Sequence, residues 1–239
     1  MALLGGCVAL RVEASPGTGG VAPTAVTPSS PAALPAPPAG LALPAAAALP
    51  VKGRAAKTGY DRGLFGQAWQ DTDRNGCDTR NDVLRRDLDD DVIKPRTHGC
   101  VVLSGTLHDP YTARTLSFVR GAGTSAAVQI DHVVPLSDAW QKGAQQWTAT
   151  TRTAFANDSL NLLAVDGPAN QSKGDSDVAT WLPPNKAYRC AYAARIVAVK
   201  TAYRVWVTSA ERDALVKVLL SCPAQRLPER APFVLGADV

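Results

Sequence analysis

The chain has 239 residues, of which 46% are hydrophobic, and carries a formal net charge of +4 at neutral pH. This length and composition allow one sizeable domain, or two small ones, with a buried core. The mildly basic balance suits a polyanionic partner but is too common to identify one. Outside an Ala/Pro-rich tract, no apolar run reaches the roughly 18 residues of a membrane-spanning helix, so we expect no transmembrane segment.

Residues 1–51 are expected to precede the folded domain. The start, MALLGGC, resembles the end of an export signal, with a lipoprotein-like cleavage box ending at Cys7. It lacks the basic stretch and the long apolar run of a signal peptide, so we interpret it as a signal remnant, with an ordinary disordered start as the alternative. Residues 15–50 are dominated by Pro, Ala, Gly and Thr, and this composition predicts a disordered linker.

We place the folded domain at residues 52–222 and a loose tail at residues 223–239. Residues 60–94 are predicted to form two helical pieces around an acidic turn, because their apolar residues recur at helical spacing. Residues 100–120 have the composition of two strands joined by a turn at Pro110, which predicts a β-hairpin.

The second half of the domain combines two short strands with helices. Strands are predicted at residues 128–132 and 160–165, the second followed by a Gly-Pro turn and the start of a helix. Residues 185–205 carry apolar residues at spacings of three and four, which is typical of a helix. Thr208 and Glu211 form a capping box that predicts the start of the last helix. The fold class is therefore α+β, with a small β component.

Four spaced cysteines lie within the expected domain, and none belongs to a C-x-x-C pair, which disfavours a zinc knuckle. Such cysteines are typical of disulfides in an exported protein. Sequence neighbourhood favours pairing Cys77 with Cys100 and Cys190 with Cys222, although four cysteines allow three connectivities. Buried free thiols in a cytosolic protein are the alternative interpretation.

An acid and a base end the first short strand, and two amides lie within and after the second. Asp131 and His132 end the first strand just before Pro135, where a turn of the backbone can bring both side chains to one site. A histidine is the natural general base for deprotonating water near neutral pH. Asp131 and Asn170 offer the oxygen ligands that a sparse Mg²⁺ site requires. Asn161, inside an apolar strand, must find hydrogen-bond partners and is expected to hold the loop above it.

These residues carry a family resemblance. The phrases VQIDHVVPLSDAW, NDSLNLLAVDGPANQSKGD and WLPPN resemble the HNH endonucleases, and more narrowly their exported bacterial branch. The resemblance extends from Tyr60 to Cys222 and includes GCDTRNDVL at residues 76–84 and DPYT at residues 109–112. So long a run of phrases is more specific than the short motif alone.

The resemblance implies a ββα-metal core with additional N-terminal helices, a hairpin and C-terminal helices. By position, His132 takes the role of general base, Asp131 and Asn170 those of metal ligands, and Asn161 that of the residue holding the catalytic loop. The implied cofactor is one divalent metal ion, Mg²⁺ first, with Mn²⁺ or Ca²⁺ as alternatives. The implied reaction is hydrolysis of phosphodiester bonds in DNA, with RNA as a second substrate.

An acidic stretch near residue 75 has two interpretations. Asp71, Asp73, Asn75 and Asp82 copy the ligand spacing of an EF-hand calcium loop, but the last position is Asp rather than Glu. The preferred interpretation is an acidic turn that presents Arg80 to the developing negative charge of a phosphodiester.

Lys173, in the second of these phrases, is expected to contact substrate phosphates. Four tryptophans are expected in the core rather than as base-stacking platforms: Trp140, Trp147, Trp181 and Trp206.

The leading hypothesis is a secreted or cell-surface, metal-dependent nuclease, expected to be a monomer, with a lipid anchor at Cys7 as one form of attachment. Two alternatives stay open from the sequence. One is a site-specific endonuclease of a defence system. The other, from a different class, is a catalytically inactive secreted module that binds calcium or a surface partner.

Overall fold

The structure, a computed structural model, describes residues 40–233 together with Ala2. The predictions for the export remnant, for Cys7 and for most of the linker lie outside these residues. Within residues 40–233 the chain forms seven α-helices and five β-strands. The helices are α1 (Ala42–Ala47), α2 (Thr79–Asp87), α3 (Leu136–Gln141), α4 (Ala149–Ala156), α5 (Gly167–Lys173), α6 (Arg189–Tyr203) and α7 (Ser209–Leu220). The strands are β1 (Leu88–Ile93), β2 (Val102–His108), β3 (Thr115–Val119), β4 (Val128–His132) and β5 (Leu162–Asp166).

Two small antiparallel sheets organise the domain. One sheet has the order β1-β2-β3, and the other pairs β4 with β5. Ile130 lies opposite Ala164 and Asp131 lies opposite Leu163 in the second sheet. Helix α5 follows β5 directly. Asp166, the last residue of β5, caps the first turn of α5 by accepting a hydrogen bond from the Ala169 N–H at 2.8 Å. The chain thus contains a strand-strand-helix unit with the motif residues at its junctions, and the α+β class is confirmed.

The sheet of β4 and β5 lies between two hydrophobic cores. Because side chains alternate along a strand, Ile130 and Ala164 point into a smaller core with α2, β2 and β3. Leu163 and Val165 point into the larger core, which is built mainly by α1, α3, α4, α6 and α7. Asp131 shares the face of Leu163, and this face is the one against which α5 packs.

The segment between the two motif strands is helical. Val133 and Val134 are buried directly after β4, and α3 and α4 then bring the chain back to β5. Phe155 of α4 is fully buried in the larger core. The chain between β4 and β5 is therefore a packed, mostly helical insertion between two paired antiparallel strands.

Residues 40–51 correct the predicted boundary at residue 52. Helix α1 buries Ala42 and Ala46 completely against α6 and α7, and Leu49 is buried as well. Pro44 lies in the first turn of this helix, where its missing N–H costs little. The prediction failed because alanine side chains show no amphipathic pattern, while their small size allows close helix packing.

The predicted loose tail also needs correction. Leu227 is buried in the larger core, and its N–H donates to the Gly40 carbonyl at 2.9 Å. Arg230 forms an ion pair with the fully buried Asp158 at 2.7 Å. Residues 223–233 are therefore part of the folded domain.

The predicted second helical piece is a helix followed by a strand. It forms α2, which begins after Asp78, and then β1, which pairs with β2. The first predicted piece forms only a short 3₁₀ helix, at Arg62–Phe65. Asp89 and Asp90 lie exposed on this edge strand, as expected for a solvated acidic run. The predicted hairpin and the helix of residues 185–205 are observed. Thr208 caps the last helix by accepting from the Glu211 N–H, but the Glu211 carboxylate binds Lys142 and Lys200 and does not complete the capping box.

Two disulfides join Cys77 to Cys100 and Cys190 to Cys222, which is the pairing favoured by sequence neighbourhood. Trp140 is buried, and Trp147 and Trp181 pack against the larger core. No helix in the part of the chain that the structure describes is long and apolar enough to cross a membrane.

Candidate active site

The motif residues meet at an open polar cavity of about 280 Å³ beside the end of β4 and the body of α5. Asp131 and His132 would point to opposite faces of a regular strand, yet both line this cavity because the strand ends at His132. Asn170 contributes from α5, so three of the predicted residues converge. The lining also includes Arg62, Gln129, Gln171 and Asp175.

His132 is held as a neutral ring with one nitrogen available. Its Nε2 lies 2.8 Å from the Ala156 carbonyl oxygen, which can only accept, so the ring proton resides on Nε2. Nδ1 therefore keeps its lone pair. Burial lowers the pKa of His132 to about 4, and the positive charge of nearby Arg62 contributes to this shift. At neutral pH the ring is thus unprotonated and able to accept a proton.

Asp131 is bound on both carboxylate oxygens. Oδ1 accepts from the Lys173 ammonium at 2.8 Å and Oδ2 accepts from the Tyr111 hydroxyl at 2.5 Å. The pKa of Tyr111 is raised well above 10, first by burial and then by the charge of Asp131, so the hydroxyl stays a donor. These contacts fix the carboxylate beside His132 and balance its charge within the domain.

Lys173 differs from its predicted role as a phosphate contact. Its side chain is fully buried, and its ammonium also donates to the His132 carbonyl at 2.9 Å. A buried ammonium with two internal acceptors does not face a substrate. Lys173 instead joins the end of α5 to the Asp131-His132 junction.

Asn161 occupies the position expected of a residue that holds the loop. It is fully buried, its Oδ1 accepts from the Val134 N–H at 2.9 Å, and its Nδ2 donates to the Val134 carbonyl at 3.3 Å. Its backbone carbonyl accepts from the Val133 N–H at 2.8 Å. The start of β5 thereby fixes the two residues that follow His132.

Asn170 presents an amide oxygen near Asp131. Its Nδ2 donates to Gln129 Oε1 at 2.9 Å, and within the described residues its Oδ1 accepts no hydrogen bond. Both Asp131 and Asn170 line the polar cavity. Because a carboxylate has about four lone-pair sites, its two hydrogen bonds leave Asp131 able to bind a cation as well.

This donor set fits a sparse magnesium site. Across residues 40–233, no three His, Cys, Asp or Glu side chains are grouped to hold a metal ion. Mg²⁺ commonly uses one or two carboxylates or carbonyls and completes its shell with water and substrate phosphate. One carboxylate and one amide oxygen of this chain match that pattern and do not match a zinc or calcium cage.

Arg80 is not brought to the cavity. Its guanidinium lies against the Val128 carbonyl at 3.4 Å, and its pKa is lowered, chiefly by burial. The arginine that does line the cavity is the exposed Arg62, which sequence reasoning missed. Tyr111 was missed as well, although it lies within DPYT, a phrase of the family resemblance, and Arg62 lies within the span of that resemblance from Tyr60 to Cys222.

In the acidic stretch, the amide of Asn75 lies between two carboxylates. Its Nδ2 donates to Asp82 Oδ1 at 3.1 Å and to Asp73 Oδ2 at 3.3 Å. Asp82 is buried, and burial raises its pKa to about 6. The Cys77–Cys100 disulfide fixes the end of this turn to the start of β2.

Comparison with known proteins places the chain in a family. Residues 78–218 match the model described as "GmrSD restriction endonucleases, C-terminal domain", which covers more than half of the chain. An "Uncharacterized secreted protein" of Arthroderma benhamiae is 38% identical over 200 residues, covering 81% of this chain and 93% of that protein. No solved structure matches. The chain therefore belongs to the family of GmrSD restriction endonuclease C-terminal domains, a nuclease family.

Proposed function

We propose that the protein is a metal-dependent endonuclease of the HNH type that hydrolyses phosphodiester bonds of DNA, with RNA as a second substrate. The observation that carries this proposal is the state of His132. Its Nε2–H donates to the Ala156 carbonyl, which leaves Nδ1 as the proton acceptor, and the ring lines one cavity with Asp131 and Asn170. A neutral imidazole beside two oxygen ligands is the arrangement needed for metal-assisted hydrolysis.

In this mechanism the free Nδ1 of His132 takes a proton from a water molecule as its oxygen attacks phosphorus. The P–O3′ bond breaks, which leaves a 5′-phosphate and a 3′-oxygen that is protonated from solvent. The Ala156 carbonyl keeps the imidazole in the tautomer that can accept the proton. A bound divalent cation would supply charge stabilisation to the phosphate and the leaving oxygen.

The other residues of the site act through position and charge. Asp131 and Asn170 would hold the cation, while Lys173 and Tyr111 keep the Asp131 carboxylate in place. Arg62, exposed at the mouth of the cavity, is positioned to attract the phosphate anion.

Metal dependence is tested by measuring plasmid nicking in Mg²⁺ and in chelator. The wild type is compared with the site variants Asp131→Asn and Asn170→Ala and with the control variant Asp213→Asn. Asp213 is an exposed residue of α7 and serves as the matched control. We expect wild type and Asp213→Asn to nick only in Mg²⁺. Both site variants should need more Mg²⁺ for half-maximal rate. Nicking that persists in chelator would contradict the metal-dependent mechanism.

We also propose that the protein acts after export. The two disulfides are stable only in an oxidising compartment, and the relative from Arthroderma benhamiae is described as secreted. Detection of the folded, oxidised protein in the culture medium or on the cell surface tests this proposal. Recovery of the reduced protein from the cytosol alone would contradict it.

A further inference from the structure

A second cavity adjoins the polar cavity and shares three lining residues with it, Arg62, His132 and Leu136. Its volume is about 240 Å³. In contrast to the polar cavity, its other walls are largely apolar and include Phe65, Ala68, Trp69 and Ala156. His132 therefore stands at the boundary between a polar space and an apolar one.

Trp69 is the aromatic wall of this apolar cavity. Its ring is nearly parallel to that of His132, with an interplanar angle of 13° and ring centroids 6.2 Å apart. The Trp69 backbone has a φ of 58°, a left-handed conformation that is unfavourable for a residue with a Cβ atom. The indole is only partly buried, and it packs against the smaller core. A partly exposed aromatic side chain on a strained backbone, beside a candidate general base, points to ligand contact.

Asn157 supplies a polar feature in the same wall. The residue is 3% exposed and its Nδ2 donates to the Thr153 carbonyl at 2.9 Å. Its Oδ1 has no hydrogen-bond partner within the described part of the chain. A buried acceptor without a partner is costly, so the wall has an acceptor suited to an N–H group of a ligand.

We propose that this apolar cavity holds one unstacked nucleobase of the substrate, next to the phosphate that the water activated by His132 attacks. This inference rests on the proposed function. A base has an apolar face to lie on Trp69 and carries N–H donors on its edge for Asn157. The phosphate attached to its sugar would then reach the adjoining polar cavity across His132. Because both faces of a base in a duplex are covered by its neighbours, the protein should prefer single-stranded or distorted nucleic acid.

The binding test uses a short fluorescein-labelled thymidine oligonucleotide in chelator, with affinity read from fluorescence anisotropy. Trp69→Leu keeps an apolar side chain without a stacking face, and Trp69→Phe keeps the face. Trp206→Leu is the control, since Trp206 is also partly buried and lies outside both cavities. We expect about tenfold weaker binding for Trp69→Leu, in line with the loss of one base-aromatic stack, and little change for the other two variants.

An abasic oligonucleotide of the same length separates stacking from a structural effect. If Trp69 stacks on a base, Trp69→Leu and the wild type should bind the abasic probe equally weakly, because the interaction is already absent. Two results would overturn the proposal. One is that Trp69→Leu weakens binding of the abasic and the thymidine probe equally. The other is that Trp69→Leu binds the thymidine probe as tightly as Trp206→Leu does.

The cleavage test compares single strand with duplex of the same sequence in Mg²⁺. We expect higher kcat/KM on the single strand for wild type and Trp69→Phe, and loss of that preference in Trp69→Leu. Equal cleavage of both forms by wild type would overturn the proposal. Absence of any cleavage would instead contradict the proposed function, and the two binding experiments would still decide whether the cavity holds a base.

Discussion

At the scale of single residues, the chemistry of the site follows from which atoms are already bonded. His132 uses Nε2 for the Ala156 carbonyl, and this bond determines that Nδ1 is the basic atom. Asp131 uses both oxygens for internal donors and still lines the cavity. The site is thus held in place by contacts that leave Nδ1 of His132 without a hydrogen-bond partner among the described residues and keep both His132 and Asp131 in the lining of the polar cavity.

Lys173→Met tests the buried pair with Asp131. The change leaves a buried carboxylate without its charged partner, so the free energy of unfolding should fall by about 3–5 kcal/mol. The exposed Lys186 provides the control, Lys186→Met, for which a change within about 0.5 kcal/mol is expected. Urea unfolding measures both. Equal stability of the two variants would show that the pair contributes nothing.

Asp82 gives the domain a specific pH dependence. Its folded pKa of about 6 lies above the usual 3.8, so the folded state binds the proton more tightly than the unfolded state. The resulting stabilisation is fully present below about pH 4 and is lost as pH rises through about 6. The facing groups are the Asn75 amide, which bonds Asp82, and the charges of Asp71, Asp73 and Asp78.

Urea unfolding in chelator at several pH values tests this assignment against Asp82→Asn. Between about pH 4 and pH 7 the wild type should lose on the order of 2 kcal/mol relative to the variant, which has no titrating group at this position. Parallel pH profiles of the two proteins would refute the raised pKa. The chelator ensures that no divalent cation contributes to the difference.

At the scale of elements, Asn161 links the start of β5 to the loop after β4. Its side chain bonds both backbone groups of Val134, so the position of His132 depends on this one amide. Replacement by Ala leaves buried backbone groups without partners, and we expect a loss of about 1–3 kcal/mol in the free energy of unfolding. We also expect the nicking rate to fall at least tenfold at a temperature where the variant is folded. A variant that is destabilised but turns over normally would show that the loop position is unimportant.

The elements that the sequence predicted correctly have strong local signals. The capping box at Thr208 and the apolar spacing of residues 185–205 are properties of a few adjacent residues, and they predicted α7 and α6. Helix α1 had no such signal, because its burial depends on packing against α6 and α7, which are remote in sequence. Strand β1 was missed for a similar reason, since its pairing with β2 outweighs the low strand propensity of its aspartates.

The site residues likewise fall into those that the local sequence predicts and those whose positions depend on remote contacts. Asp131, His132, Asn161 and Asn170 lie in two short phrases, and local chemistry was enough to predict that three of them share a cavity and that Asn161 holds the loop. The burial of Lys173 could not be predicted, because its acceptors, the Asp131 carboxylate and the His132 carbonyl, lie at the end of a strand more than 40 residues earlier in the chain. Trp69 lies within residues 60–94, for which helical pieces were predicted, and its place beside His132 was missed because the strained backbone at this residue has no sequence signature.

At the scale of the whole molecule, a buried cluster of charges joins the helices of the larger core. Lys142 donates to Asp138, Asp177 and Glu211 at distances of 2.6 to 2.8 Å, and Lys200 pairs with Glu211 at 2.6 Å. This cluster connects α3, α6 and α7. Glu211 therefore uses its backbone N–H for the capping bond to Thr208 and its carboxylate for the core.

Lys142→Met should destabilise the whole domain, because three buried carboxylates lose a shared cation. We expect a decrease of about 3–5 kcal/mol in the free energy of unfolding. Lys217→Met, at an exposed position of α7, is the control and should change stability by less than about 0.5 kcal/mol. Thermal or urea unfolding gives the comparison. A Lys142→Met variant as stable as Lys217→Met would contradict a stabilising role for the cluster.

The proposed mechanism depends most on His132 as the base that activates water. The direct measurement is the initial rate of plasmid nicking in Mg²⁺ for wild type, His132→Ala and His108→Ala, the last being an exposed histidine at the end of β2. Loss of a general base should lower the rate about 10² to 10⁴-fold in His132→Ala, while His108→Ala nicks like the wild type. A folded His132→Ala protein that nicks within a few-fold of the wild type would contradict the central claim.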